Sequence, residues 1–186
     1  GYMNEAASFM YLEKIAGLPP FLTFRSPGNS APRRRIASRS TLPSSTLSLN
    51  EARELAGDLL TEGRAVLEWP ESAHAPDSLP APVGKVLLLM IMLAADCLPR
   101  GGSVTVHTAA LPEGMGLAVS AAGQGATLKD TVAEALDPNA PADVLNARSV
   151  HAYFAQMLAV AESGRIETST DAEDEIRFMA LFPKEK

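Results

Sequence analysis

The stretch GLAVSAAGQGATL, Gly116 to Leu128, decides how this chain is read. It alternates as a strand, runs into Gly123-Gln124-Gly125 and then opens toward a helix. A Gly-x-Gly at a strand end lets the backbone come close to a neighbour, which can be a nucleotide or simply the next loop. The two residues ahead of it are Ala121 and Ala122, so no carboxylate or amide side chain stands ready to read a base. The expectation is a turn that keeps the geometry of a nucleotide site and lacks its chemistry.

Upstream, "SVTVHTAAL" (Ser103 to Leu111) alternates strictly and pairs with this strand through the turn at Pro112 to Gly114, giving two adjacent antiparallel strands. The turn Pro99-Arg100-Gly101-Gly102 joins it to Pro82–Leu98, apolar nearly all round, as a helix packed on a sheet and covered elsewhere would be. Ser48 with Glu51 three residues on is a capping box. Leu49, Ala52, Leu55, Ala56, Leu59 and Leu60 follow as an apolar stripe, with Gly63 able to take a left-handed position at the helix end. Arg64 to Trp69 reads as a strand and the Pro-rich run after it as a loop. Downstream, two helices are expected over Leu128–Leu136 and Val144–Glu162, separated by Asp-Pro-Asn-Ala-Pro. Two last strands, "GRIETST" and "DEIRFMALF", flank a polar turn at Asp171 to Asp174. Residues 48–186 thus predict an α+β two-layer sandwich without internal repeats.

Ahead of that domain, residues 1–25 predict a short amphipathic helical arm, with Phe9, Leu12, Ile15 and Ala16 on one side. Residues 26–47 read as a Ser-, Pro- and Arg-rich linker, and Gly1 before Met3 as a processing scar or the cut end of a longer protein. With 16 basic against 22 acidic residues, the net charge of −6 argues against nucleic acid or an anionic membrane as partner. The longest apolar run, Val86 to Ala95, is half of the ~20 residues a bilayer requires. One cysteine, Cys97, excludes a disulfide framework and fits a reducing cytoplasm, and no His/Cys spacing suggests a metal site. Met90, Met92 and Met157 read as core fillers, Cys97 as a small buried residue and Trp69 as a core or inter-domain contact.

The order of helix, Pro-Arg-Gly-Gly turn, hairpin, Gly-x-Gly, long helix, Gly-Arg-Ile strand and closing strand resembles the ATP-binding domain of histidine kinases, over Ser48 to Pro183. In that family the helix before the Gly-Gly turn carries Mg²⁺-holding asparagines, and Leu89 and Leu93 stand here. Its Asp-x-Gly-x-Gly motif reads adenine through the Asp, and Ala121 stands there, ahead of Gly123 and Gly125. Its last phosphate-cradling glycines correspond to "RSVHAYF", with Ser149 and His151 in their place. A pocket stripped of acceptor, metal ligands and free backbone amides is expected to bind neither ATP nor any other cofactor.

A kinase-like core that discards ATP is similar to the ChpT-type histidine phosphotransferases of alphaproteobacteria, a likeness carried by the degenerate pocket, by "LPRGGSVTV" (Leu98 to Val106) and by the "GRI" ending at Ile166. That resemblance implies a homodimer built on a four-helix bundle with a phosphoaccepting His, and a pseudo-ATPase domain that docks response-regulator receiver domains in a two-component phosphorelay. The chain departs from the pattern in having no His-Asp-x-x-Ser-Pro box: His74 lies in a loop, His107 in a strand and His151 near a helix start facing the old pocket. No confident catalytic residue emerges, and His151 is the one candidate acceptor, set against the blander reading of a surface side chain. Either residues 1–25 are what remains of the bundle, or the protein is a phosphorylation-incompetent module that inhibits a receiver or kinase by occupying it. In a bundle remnant Phe9, Leu12, Ile15, Phe21 and Phe24 would face the bundle, and the cluster Arg25, Arg33, Arg34, Arg35 and Arg39 offers a site for an acidic partner, set against the blander and favoured reading of a solvated linker.

Overall fold

The computed structural model describes residues 46–140, 145–147, 149–170 and 172–184. The expected arm, and the linker up to residue 45, lie outside the described residues. Seven strands and four helices are described: β1 (Thr46–Ser48), α1 (Leu49–Thr61), β2 (Ala65–Glu68), β3 (Ser78–Pro80), α2 (Ala81–Asp96), β4 (Gly102–Leu111), β5 (Gly114–Ala122), α3 (Asp130–Ala135), α4 (Val150–Ala161), β6 (Arg165–Ser169) and β7 (Glu175–Pro183). The expected α+β two-layer sandwich is what the chain forms.

Helix α1 starts where its sequence says it must. The Ser48 side chain accepts from the Glu51 amide, and the Glu51 carboxylate accepts from the Ser48 amide at 3.0 Å, so two orphan donors are satisfied reciprocally. These bonds to Ser48 hold the Glu51 carboxyl below its ordinary range. The contribution is therefore present above the unfolded carboxylate pKa and lost as pH falls through the lowered folded value. Ser48→Ala is expected to lower the unfolding free energy by about 1 kcal/mol at neutral pH, read from a shifted urea midpoint with unchanged slope. Two expectations for this helix are corrected. Leu55 and Leu59 are each 44% exposed, because the buried side is narrowed to Leu49, Ala52, Ala56 and Leu60. Gly63 is not left-handed, since the helix ends through Glu62 in an ordinary helical conformation.

The main sheet has the order β2-β4-β5-β7-β6, with β2 parallel to β4 and all other pairs antiparallel. The β4–β5 hairpin closes through Pro112 and Glu113, with Leu111 opposite Gly114, as the sequence predicts. The parallel pair needs a crossover, supplied by the excursion from β2 through α2. Sequence reading missed a second, two-stranded sheet of β1 against β3. It draws Thr46 and Leu47 out of the expected linker and Ser78–Pro80 out of the expected loop. Leu47 then lies against α2, where a Cβ added to Gly84 would stand 2.8 Å from its Cδ2.

The core sits between one sheet face and the helices. Val104, Val106, Leu117, Val119, Ala121, Ile176, Phe178 and Ala180 meet Val86, Leu87, Met90, Ile91 and Ala94 of α2 and Ala152, Ala155 and Ala159 of α4. Helix α2 is apolar all round because it is covered by the sheet, by α1 and by α4. Met90 is fully buried and Met92 and Met157 are half-buried, and Cys97 is 3% exposed. Helix α4 begins at Val150, later than the expected Val144, and Asn146 and Ser149 bond to each other just ahead of it. Among the described residues no helix is long and apolar enough to cross a membrane.

Candidate functional site

The turn that opened the reading is held by a residue the sequence did not single out. Asp174, in the turn between β6 and β7, accepts the Gly125 amide on its carboxylate at 2.7 Å and the Gly123 amide on its carbonyl at 3.0 Å. Its own backbone is left-handed, at φ 57, a conformation Asp tolerates better than most residues. Gly123 lies against the Pro-Arg-Gly-Gly turn, where an added Cβ would be 2.4 Å from the Gly101 carbonyl oxygen. Gly125 meets nothing within 4 Å and is glycine for its φ of +76.

The adenine-reading position is occupied by core. Ala121 is fully buried on the helix-facing side of β5 and belongs to the main cluster. Of the two leucines standing for asparagines, Leu93 is 2% exposed and Leu89 is half-buried against the same cluster. At the head of α4, the Ser149 amide donates to the Asn146 side-chain oxygen at 3.1 Å and the Asn146 amide donates to the Ser149 hydroxyl at 3.0 Å. That reciprocal pair, with Ser149 only 1% exposed, uses a backbone donor that a phosphate would otherwise meet.

A cavity of about 370 Å³ remains between α2, α3 and α4, and Leu93, Asp96, Cys97, Lys129, Val132 and His151 line it. Of the predicted pocket residues, the structure brings Leu93 and His151 together there, while Leu89, Ala121, Gly123, Gly125 and Ser149 are not part of its lining. The volume is ample for a small ligand, so chemistry decides what it can hold. Its wall offers one carboxylate, one ammonium, one exposed imidazole, the Thr127 hydroxyl and the Cys97 thiol beside apolar side chains. Burial, aided by the Asp96 charge and opposed by Lys129, pushes the Cys97 thiol up to about 12, which keeps it protonated at neutral pH. Among the described residues no group of three or more His, Cys, Asp or Glu side chains is placed to hold a metal ion.

The other histidines fall where the sequence put them. His74 is an exposed loop residue whose carbonyl accepts from the Ala110 amide at 2.8 Å. His107 is half-buried on β4, and that burial lowers its pKa. Phe21, Phe24, Arg25, Arg33, Arg34 and Arg35 lie outside the described residues. Trp69 packs on the core, and the Arg53 guanidinium lies 5.6 Å from its ring centroid. Asp174, Asn146 and the buried Gln156 are what sequence reading missed. For Gln156 the signal was present, as a lone amide in the apolar run "VHAYFAQMLAVA".

Solved structures share this fold. A bacterial phosphotransferase superposes with a TM-score of 0.62 at 21% identity, covering 73% of this chain, which in turn spans only 64% of that protein's length. The Acinetobacter baumannii histidine kinase AdeS gives 0.53 at 15% identity, covering 78% of this chain and 70% of its own. The catalytic domain of histidine kinase ThkA, in a nucleotide-free form, gives 0.54 at 14% identity, covering 77% and 98%. A comparison with curated protein sequences found no significant match. The model of one family, the histidine phosphotransferase C-terminal domain, matches residues 49–174, well over half of the chain, and the protein belongs to that family.

Proposed function

We propose that the chain works in a bacterial two-component phosphorelay as a histidine phosphotransferase domain of ChpT type, docking receiver domains without binding ATP. Ala121 carries this reading: a fully buried methyl group stands where the resembling kinases place the carboxylate that reads adenine. The Gly125 and Ser149 amides, engaged by Asp174 and Asn146, support it, because internal oxygens already fill positions a phosphate would need. Phosphotransfer from a receiver requires an imidazole nitrogen placed in line with an aspartyl phosphate, and positioning supplies most of the acceleration. The described residues offer only His151 at the pocket rim, exposed and in the first turn of α4.

A second reading, a module that binds a receiver or kinase and does not accept phosphate, rests on one observation: none of the three histidines is followed by Asp. Calorimetric titration with Mg-ATP is expected to give no binding up to millimolar concentration, and micromolar affinity would overturn the loss of the nucleotide site. In parallel, the chain is incubated with a phosphorylated receiver. Acid-labile phosphohistidine abolished by His151→Gln would establish His151 as acceptor. Stable receiver association without label would favour the silent module, and no association would sink both readings.

A further inference from the structure

The cavity between α2, α3 and α4 has a dry floor and a charged rim. Leu93, Cys97 and Val132 in its wall are 2%, 3% and 9% exposed, whereas Asp96, Thr127, Lys129 and His151 are open to solvent. Backbone bonds hold the rim in place. The Thr127 amide donates to the Cys97 carbonyl at 3.0 Å, which ties the loop that carries Lys129 to the end of α2 that carries Asp96. The Lys129 carbonyl in turn accepts the Val132 amide at 2.9 Å and the Ala133 amide at 3.0 Å. Both charges act on the Cys97 thiol, the carboxylate raising its pKa and the ammonium lowering it, so both lie close to one floor. Yet among the described residues neither Asp96 nor Lys129 forms an ion pair. Asp96 is, moreover, the last residue of α2, where the helix end is itself negative, and no basic residue stands in that turn. An acid in that place weakens the helix unless a cation meets it.

We propose that this cavity binds a small zwitterion with an apolar body, an aliphatic α-amino acid being the simplest member, with its ammonium on Asp96, its carboxylate on Lys129 and its side chain on Leu93 and Val132. The wall selects against other classes. A ligand carrying one charge of each sign matches both rim groups, whereas a phosphate dianion would meet the Asp96 carboxylate with a single lysine to hold it. At about 370 Å³ the space stands at the small end of the range for ligand pockets. The Thr127 hydroxyl and the His151 imidazole, on the same rim, offer further hydrogen bonds to the carboxylate. A ligand seated there stands against His151 and competes with a receiver for that imidazole.

The proposal rests on the reading that ATP does not bind, and titration of the isotope-labelled full chain, followed by nuclear magnetic resonance, separates the two. The probes are L-leucine, isocaproate, which lacks the ammonium, isopentylamine, which lacks the carboxylate, and Mg-ATP. L-leucine is expected to shift the Thr127, Val132 and His151 amide signals saturably, with a dissociation constant on the order of 1 mM, and each single-charge probe to bind about 5-fold more weakly. Asp96→Asn is expected to remove the advantage of L-leucine over the acid and keep its advantage over the amine, and Lys129→Gln to do the reverse. A merely structural role for either side chain would weaken all three probes alike. Equal affinities for the three, or no saturable shift from L-leucine up to tens of millimolar, would overturn the proposal and leave the loss of ATP untouched. Mg-ATP shifting the same signals at micromolar concentration would overturn both.

Discussion

Replacing Gln156 by leucine is expected to lower the unfolding free energy by about 4 kcal/mol. Gln156 is fully buried in α4. Its amide nitrogen donates to the Leu136 carbonyl at the end of α3 and, at 3.0 Å, to the Ile166 carbonyl of β6. Its oxygen accepts from the Ile166 amide at 2.8 Å. One side chain thus ties two helices and an edge strand, and leucine would leave three backbone groups buried and unpaired, each costing about 1–3 kcal/mol. Urea unfolding checks the magnitude. Hydrogen exchange at Ile166 checks the cause, since its amide should be the first β6 proton to lose protection. A loss under 1 kcal/mol would mean that water replaces the amide at this site.

The second large effect separates the two glycines of the opening turn. Gly123→Ala is expected to cost about 3 kcal/mol, because the new Cβ would stand 2.4 Å from the Gly101 carbonyl and 3.1 Å from the Gly102 Cα, both backbone atoms that cannot swing aside. Gly125→Ala is expected to cost about 1 kcal/mol, since space is open around it and only its left-handed φ resists a side chain. The ranking is the informative outcome. Glycines kept for a nucleotide would be interchangeable for stability, whereas a structural turn makes the one that touches the backbone of its neighbour the costly one. Equal thermal midpoints for the two variants would remove the structural explanation.

The layered fold was legible because its signals are local. Strict alternation in β4 and β5, the two-residue turn between them and the capping box at Ser48 each act over a few residues, and each is formed as read. What escaped needs partners distant in sequence. The strand Ser78–Pro80 contains a proline and only three residues, and nothing local marks it until Thr46–Ser48 arrives opposite. Leu55 and Leu59 fit the helical period, but only a map of what α1 packs against can tell that they face outward. The candidate site was legible by subtraction: Ala121, Leu89 and Leu93 show at once which oxygens are gone. The groups that took over could not be found that way, because Asp174 reaches Gly125 across 49 positions of sequence.

Sheet order has a consequence for how the protein comes off the ribosome. The last of the seven described strands to be made, β7, sits inside the sheet, between β5 and β6. Until it emerges from the exit tunnel, the β4–β5 hairpin has one open flank and β6 lacks its described partner, so nascent chains carry unpaired backbone edges over that interval. Completion of the sheet therefore waits for β7, and a premature stop anywhere before it leaves the β4–β5 hairpin with an unpaired flank.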